Sequence, residues 1–270
     1  KFEQQLPTRL NELSAQAFSF DELQTAFKKS HQLSMQFLSI HRWSITFADI
    51  FVSLFKTITT YLEIDDEQFS RFFQGMEQNA TLQANLALLD LDSNSTFSVE
   101  RFMTKFGHRS NNLDIATPTW REQPEHVFQL AERAKQNSTL LKTSQMASSR
   151  AREEQIQQGY KLVKSMPLYK KILFSVIFKN LLNFAQTFYL LRENQRNLWH
   201  QILAVSRQLA LQIGDILQGR DMIDPQKDIF FLKLDELYNT GKTSDLRARI
   251  KIRKKERENF VSTVGSKESD

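Results

Sequence analysis

The sequence predicts an all-α, multi-helix fold, and three observations carry that expectation. Only 7 Gly and 5 Pro occur in 270 residues, so the punctuation needed by many short strands and tight turns is missing. Apolar residues recur at spacings of three and four, the period of one helical face. Capping residues stand where helices would have to begin and end. The chain is 40% apolar, enough for a sizeable core. Its 22 Phe point to a core or cavity walled by large flat rings. Ordinary packing accounts for such rings before any bulky apolar ligand has to be invoked.

Ser19-Phe20-Asp21-Glu22 has the capping-box pattern, which starts a helix there. Beyond it Leu33, Phe37, Ile40, Ser44, Phe47, Phe51, Leu54, Ile58 and Leu62 mark one face of a long helix or a kinked pair. Ile45, Val52 and Phe55 widen that face, so neighbours are expected on more than one side. Asp65 and Asp66 cap a shorter helix through Phe73, and Gly75 suits a left-handed terminus. Short helices are expected near 80–89 and 98–106. From Gly107 to Pro124 the helical period disappears, and Asn111, Asn112, Asp114, Pro118 and Pro124 describe an ordered loop.

Helices resume at about Glu125, run from about Ser149 to Lys164, and start again at about Leu168 after the break at Pro167. A last long helix carries Leu191, Leu198, Ile202, Val205, Leu209, Ile213 and Ile216 on one face, with Gly219 placed to end it. Asp228-Ile229-Phe230-Phe231-Leu232 reads as a short extended segment near 228–232, followed by a short helix at Asp235 to Tyr238. Two regions follow: a helical domain over 1–245 and a basic helix or linker over 246–270.

The absence of cysteine excludes disulfides and thiolate catalysis and removes the common zinc sites. No phosphate-binding glycine loop and no His-Glu-x-x-His helix occurs, so nucleotide chemistry is not expected within this chain. Asp90-x-Asp92-x-Asn94 mimics half of an EF-hand. Its sixth position is Ser95 and its twelfth is Arg101, which reads as a capped turn. No metal site is expected, and the five histidines form no nucleophilic triad.

The apolar stretch Leu168 to Leu191 contains Lys170, Lys171, Lys179, Asn183 and Gln186, too polar for a membrane span. Seven basic residues lie between Arg247 and Arg257 with no aromatics among them, so a solvated terminal helix is expected rather than nucleic-acid binding. The chain opens on Lys1 with no signal-peptide pattern, which reads as a cytoplasmic segment of a longer protein. Arg192, Arg196 and His200 stack at i, i+4 and i+8, with Glu193 in reach of Arg196. That row either binds an anion or hydroxyl in a cavity or forms a solvated face.

The loop from Phe106 to Pro124, with Gly107-His108-Arg109 at its head, resembles the Gly-His-Arg segment of phosphoenolpyruvate-synthase-like proteins. Further elements occur in the family's order. They are Arg192-Glu193-Asn194-Gln195-Arg196, then Ile213-Gly214, Asp224-Pro225, Asp228-Ile229-Phe230-Phe231-Leu232 and Asp235-Glu236-Leu237. Within that family the chain most resembles the central helical domain of rifampicin phosphotransferases.

The resemblance implies a substrate-binding domain that presents a largely apolar, hydroxylated small-molecule acceptor to a swivelling phosphohistidine domain. ATP and magnesium would belong to a separate ATP-grasp domain of the same polypeptide, with no cofactor held here and no membrane or nucleic acid as partner. It implies His108, Arg109, Asp114, Trp120, Arg192, Glu193 and Arg196 as substrate-binding candidates, and none as catalytic residues. His108 and Arg109 tie the loop to the core on the competing structural reading. A free-standing interaction module with a Phe-rich binding face is the second functional reading.

Overall fold

The computed structural model describes residues 2–14, 19–238 and 246–267, with the backbone alone described over 138–142 and 263–267. It is all-α, and no strand occurs among the described residues. The helices are α1 (Phe2–Ser14), α2 (Phe20–Tyr61), α3 (Asp66–Arg71), α4 (Ala80–Leu89), α5 (Thr96–Phe106), α6 (Pro124–Gln136), α7 (Ser138–Lys164), α8 (Leu168–Gly219), α9 (Leu234–Tyr238) and α10 (Leu246–Lys267). Short 3-10 helices occupy Trp120–Glu122 and Gln226–Phe231.

Several boundaries follow from the capping signals. α2 begins directly after Ser19, whose N–H and Oγ both donate to Glu22 Oε2 at 2.8 Å. Asp65 accepts from the Gln68 N–H at 2.8 Å, closing a capping box at α3. Gly75 has φ +62 and lies so close to the Ser149 backbone that no side chain would fit. Asp90 closes α4, Asp92 caps the turn at Asn94 and Ser95 caps α5, so the EF-hand mimic consists of helix ends. The two helices expected from Leu168 onward are one helix, α8, of 52 residues. It ends at Gly219 as expected, yet the left-handed residue that turns the chain is Asp221, with φ 59.

The chain forms two compact units, and α2 and α8 contribute to both. One unit comprises Gln36–Arg109 and Thr119–His200. Within it α2 and α8 run antiparallel along an aromatic seam. Tyr61 stacks on Phe174, Phe51 on Phe184 and Phe188, and Phe37 on Trp199, with ring centroids 5.0–5.3 Å apart. Gly159 of α7 lets the Phe178 ring approach the α7 backbone, because a β-carbon there would overlap the ring. Phe178 packs with Phe55, Leu62, Phe72, Val163 and Leu182 in one buried cluster of this unit. A second cluster joins Ala84 and Leu88 of α4, Phe102, Met103 and Phe106 of α5, Trp120, and Val127 and Ala131 of α6.

The other unit comprises Lys1–Met35, Ser110–Pro118 and Gln201–Asp270. Leu23 and Phe27 of α2 pack with Leu209, Ile213 and Leu217 of α8 and with Ile223, Ile229, Leu237, Leu246 and Ile250. The segment expected to be extended near 228–232 is a 3-10 helix, with only Leu232 extended at its end. Pro225 starts it, and the Asp228 N–H returns to the Pro225 carbonyl at 2.9 Å. A short Ile-Phe-Phe-Leu run has no periodicity to separate strand from helix, and among the described residues no strand stands beside it to pair with.

The basic helix α10 is bound by ion pairs rather than merely solvated. Arg249 and Arg253 both bond buried Glu236, at 2.9 and 2.6 Å, and Lys254 meets buried Asp228 at 2.5 Å. Arg253 beside Glu236 holds that carboxyl down to about 2 against burial, which acts the other way.

Candidate functional site

The Gly-His-Arg segment is held by the end of α5 and by its own backbone. Gly107 caps α5, its N–H bonding the Met103 carbonyl at 2.9 Å. The Trp120 N–H bonds the Arg109 carbonyl at 2.7 Å, and the Arg121 N–H bonds the Gly107 carbonyl at 3.0 Å. Residues 107–109 and 119–121 are thereby clamped side by side. The Arg121 guanidinium adds a bond to the Met103 carbonyl at 2.6 Å. Trp120 is buried against Phe102, and the Arg109 guanidinium lies 5.4 Å from the centre of its ring.

Arg109 and His108 converge on one atom. Asn197 Oδ1, on α8, accepts from Arg109 Nη1 at 3.1 Å and lies 3.1 Å from His108 Nε2. A guanidinium only donates, so that amide atom is the oxygen and His108 must donate to it from Nε2. The charged ring and the neutral Nε2–H tautomer both donate in this way, and in the neutral form Nδ1 is left as an acceptor. Arg109 also reaches Thr81 Oγ1 at 3.5 Å.

The electrostatics agree with a neutral ring. Burial, with Arg109 and Arg121 nearby, drives His108 down to about 4 against the opposing pull of Asn197. His200, buried on α8, falls to about 4 through burial first and then the nearby Arg109, His108 and Arg196. Burial, and then the like charge of Arg196, also lowers Arg109 below its ordinary value.

The structure thus groups His108, Arg109, Trp120 and Arg196 among the expected residues, and adds Arg121, Asn197 and His200. Arg192 sits 3.4 Å from Glu193 and 3.8 Å from Asp49, and stacks on Tyr189. Glu193 consequently meets Arg192 rather than Arg196, the partner expected from helical spacing. Asp114 falls in the other compact unit, exposed, with its carboxylate accepting from the Ala116 N–H at 2.9 Å within its own turn.

Sequence reasoning missed three amides that fan out from one helical stretch. Asn194 accepts from the Ala80 N–H at 2.9 Å, fixing the start of α4. Gln195, fully buried, accepts from His41 Nδ1 at 2.8 Å and donates to Ser44 Oγ at 3.0 Å. Asn197 orders the loop. The available signal was three amides within four residues of one long helix, where each amide that is wholly or partly buried needs a partner.

No group of three His, Asp or Glu side chains among the described residues is placed to hold a metal ion. Among the same residues, no helix is long and apolar enough to cross a membrane.

Residues 65–193 match the family model described as rifampicin phosphotransferase fourth domain. That description names one domain of a multidomain phosphotransferase, and it bears out the family resemblance over this stretch. The match contains His108, Arg109, Asp114, Trp120, Arg192 and Glu193. It stops short of Arg196, Asn197 and His200, and of the motifs between Ile213 and Leu237. No curated protein matches the chain.

Proposed function

We propose that the chain is the central substrate-binding domain of a multidomain, ATP-dependent phosphotransferase. In this reading it presents a largely apolar, hydroxylated acceptor to a phosphohistidine domain of the same polypeptide. The observation that carries it is the match of residues 65–193, a stretch that contains the loop from Gly107 to Trp120, to a phosphotransferase domain. The acceptor's polar end meets His108, Arg109, Trp120 and Arg196, and aromatic and aliphatic side chains hold its apolar body. His108, neutral with Nδ1 able to accept, suits a hydroxyl that must lose its proton as phosphorus–oxygen bonding develops. ATP and magnesium act in a separate domain, and the work of this domain is orientation and exclusion of water.

The test is a thermal-shift screen of polycyclic hydroxylated compounds, since a ligand that binds only the folded state raises its apparent stability. A shift abolished by Arg109→Gln supports the reading. Flanking coding sequence with no ATP-grasp region upstream and no Gly-rich phosphohistidine motif downstream overturns it.

A second reading, a protein-interaction module, has its own support in exposed apolar side chains on the first turns of α8. Leu168, Tyr169, Ile172, Leu173 and Val176 are all more than half exposed. A partner captured through that face would be lost on replacing Ile172 and Val176 with Ser.

A further inference from the structure

Arg109 bonds Asn197, the neighbour of Arg196 on α8, and the Arg121 backbone is clamped to Gly107, with His108 and His200 close by; among the described residues no carboxylate pairs with any of these three arginines. The nearby acids are engaged elsewhere. Glu122 caps the turn at Thr119, accepting from its N–H at 3.2 Å and its Oγ at 3.0 Å, and Glu193 meets Arg192. Arg109 and Arg121 are instead held by neutral acceptors. Asn197 Oδ1 and Thr81 Oγ1 take Arg109, and the Met103 carbonyl takes Arg121. Like charges gathered with only neutral partners raise the free energy of the folded state, and the cluster lowers that cost by keeping both rings uncharged.

We propose that this cluster is a binding site for a phosphate-type oxyanion, held by Arg109 and Arg196 with His108 beside them. The inference stands on the charges and hydrogen bonds of the cluster, and holds whether or not the domain binds an acceptor. Guanidinium groups from the loop and from α8 donate in forks that match phosphate oxygens. Monohydrogen phosphate also carries one O–H donor, and neutral His108 keeps Nδ1 as the acceptor for it. A carboxylate has no such donor and brings a single charge, whereas phosphate brings about −1.5 to −2 near neutrality. The site lies on clamped backbone and a long helix rather than on a mobile tip, so the donors are held before the anion arrives. The phosphoryl source is either free phosphate or a phosphomonoester, and both present the same oxygens.

The experiment is an NMR titration of the histidine rings in the 270-residue chain. Inorganic phosphate, phenyl phosphate and chloride are added in separate arms at matched ionic strength. Phosphate or phenyl phosphate should raise the midpoints of His108 and His200 by about one unit or more, because a bound anion favours the charged rings. Saturation by inorganic phosphate alone assigns a free-phosphate site, and saturation by phenyl phosphate alone assigns the phosphoryl group of a larger ligand. Arg196→Gln, on an exposed side chain, should weaken the binding about tenfold, the effect of one lost charge-assisted hydrogen bond. Arg121→Gln serves as a second variant with the same expected direction. An equal response to chloride, no response in any arm, or undiminished affinity in both variants overturns the proposal. A thermal-shift response to unphosphorylated hydroxylated compounds is unaffected by that failure, so the two readings fail separately.

Discussion

Glu236→Gln should cost about 3 kcal/mol at neutral pH, because the Glu236 carboxylate is the buried anchor of α10. Its two oxygens receive Arg249 Nη1 at 2.9 Å and Arg253 Nη1 at 2.6 Å, and the Lys233 N–H adds a bond at 2.8 Å. Arg253, helped by that backbone bond and by Arg249, depresses the carboxyl from 4.5 to about 2. A shift of that size corresponds to about 3 kcal/mol, at about 1.4 kcal/mol per unit. The folded-state value lies below the unfolded one, so the contribution is present above pH 4.5 and disappears as pH falls toward 2. Urea unfolding followed by circular dichroism should show the full difference between wild type and variant at pH 7, with more than half of it gone at pH 3. A difference below about 1 kcal/mol at pH 7, the size of an exposed pair, would refute the reasoning. A difference that stays constant down to pH 3 would refute it equally.

Three more outcomes follow from the other unit. His200 stays neutral in the fold down to about 4 while the unfolded ring protonates near 6.5. Stability is therefore full above that value and falls with acidification toward 4, by at most about 1.4 kcal/mol per pH unit. His200→Phe should flatten this slope in a pH series of melts. Asn197→Ala removes the shared acceptor of His108 and Arg109 and should destabilise by about 1–3 kcal/mol. It should also lower the His108 midpoint further, since the Asn197 bond is what favours the charged ring, and ring NMR reads that direction. Gly159→Ala puts a methyl into the Phe178 ring and should cost about 1–3 kcal/mol in chemical denaturation. Adding Phe178→Leu should recover part of the loss.

The helices were legible because their boundaries are local chemistry. Ser19, Asp65, Ser95 and Gly75 act within one turn of where they sit, and the three-four spacing of Phe37, Phe51 and Phe55 survives into the buried seam. Continuity of α8 was harder to read. Its apolar residues serve two cores, Phe178 and Leu182 in one unit and Leu209, Ile213 and Leu217 in the other, so the facing stripe changes along its length. The turn at Gln226–Phe231 was misjudged because a short apolar run takes its shape from what surrounds it. In the candidate site, His108 and Arg109 were legible through their resemblance to a known segment. Asn197 was not, since an amide in the middle of a helix reveals its role only when the loop that it orders is in place. Asp114 was drawn in by its position in the loop, and its carboxylate serves its own turn.

The division of labour is tested most directly by following ATP consumption in the purified 270-residue chain and in the polypeptide encoded by its whole reading frame. The account predicts no ATP hydrolysis by the chain alone. It predicts ATP-dependent phosphorylation of a hydroxylated acceptor by the whole polypeptide, lost on Arg109→Gln while phosphorylation of the enzyme's own histidine persists. ATP hydrolysis by the isolated chain at a rate that falls when His108 or Arg109 is replaced would contradict it.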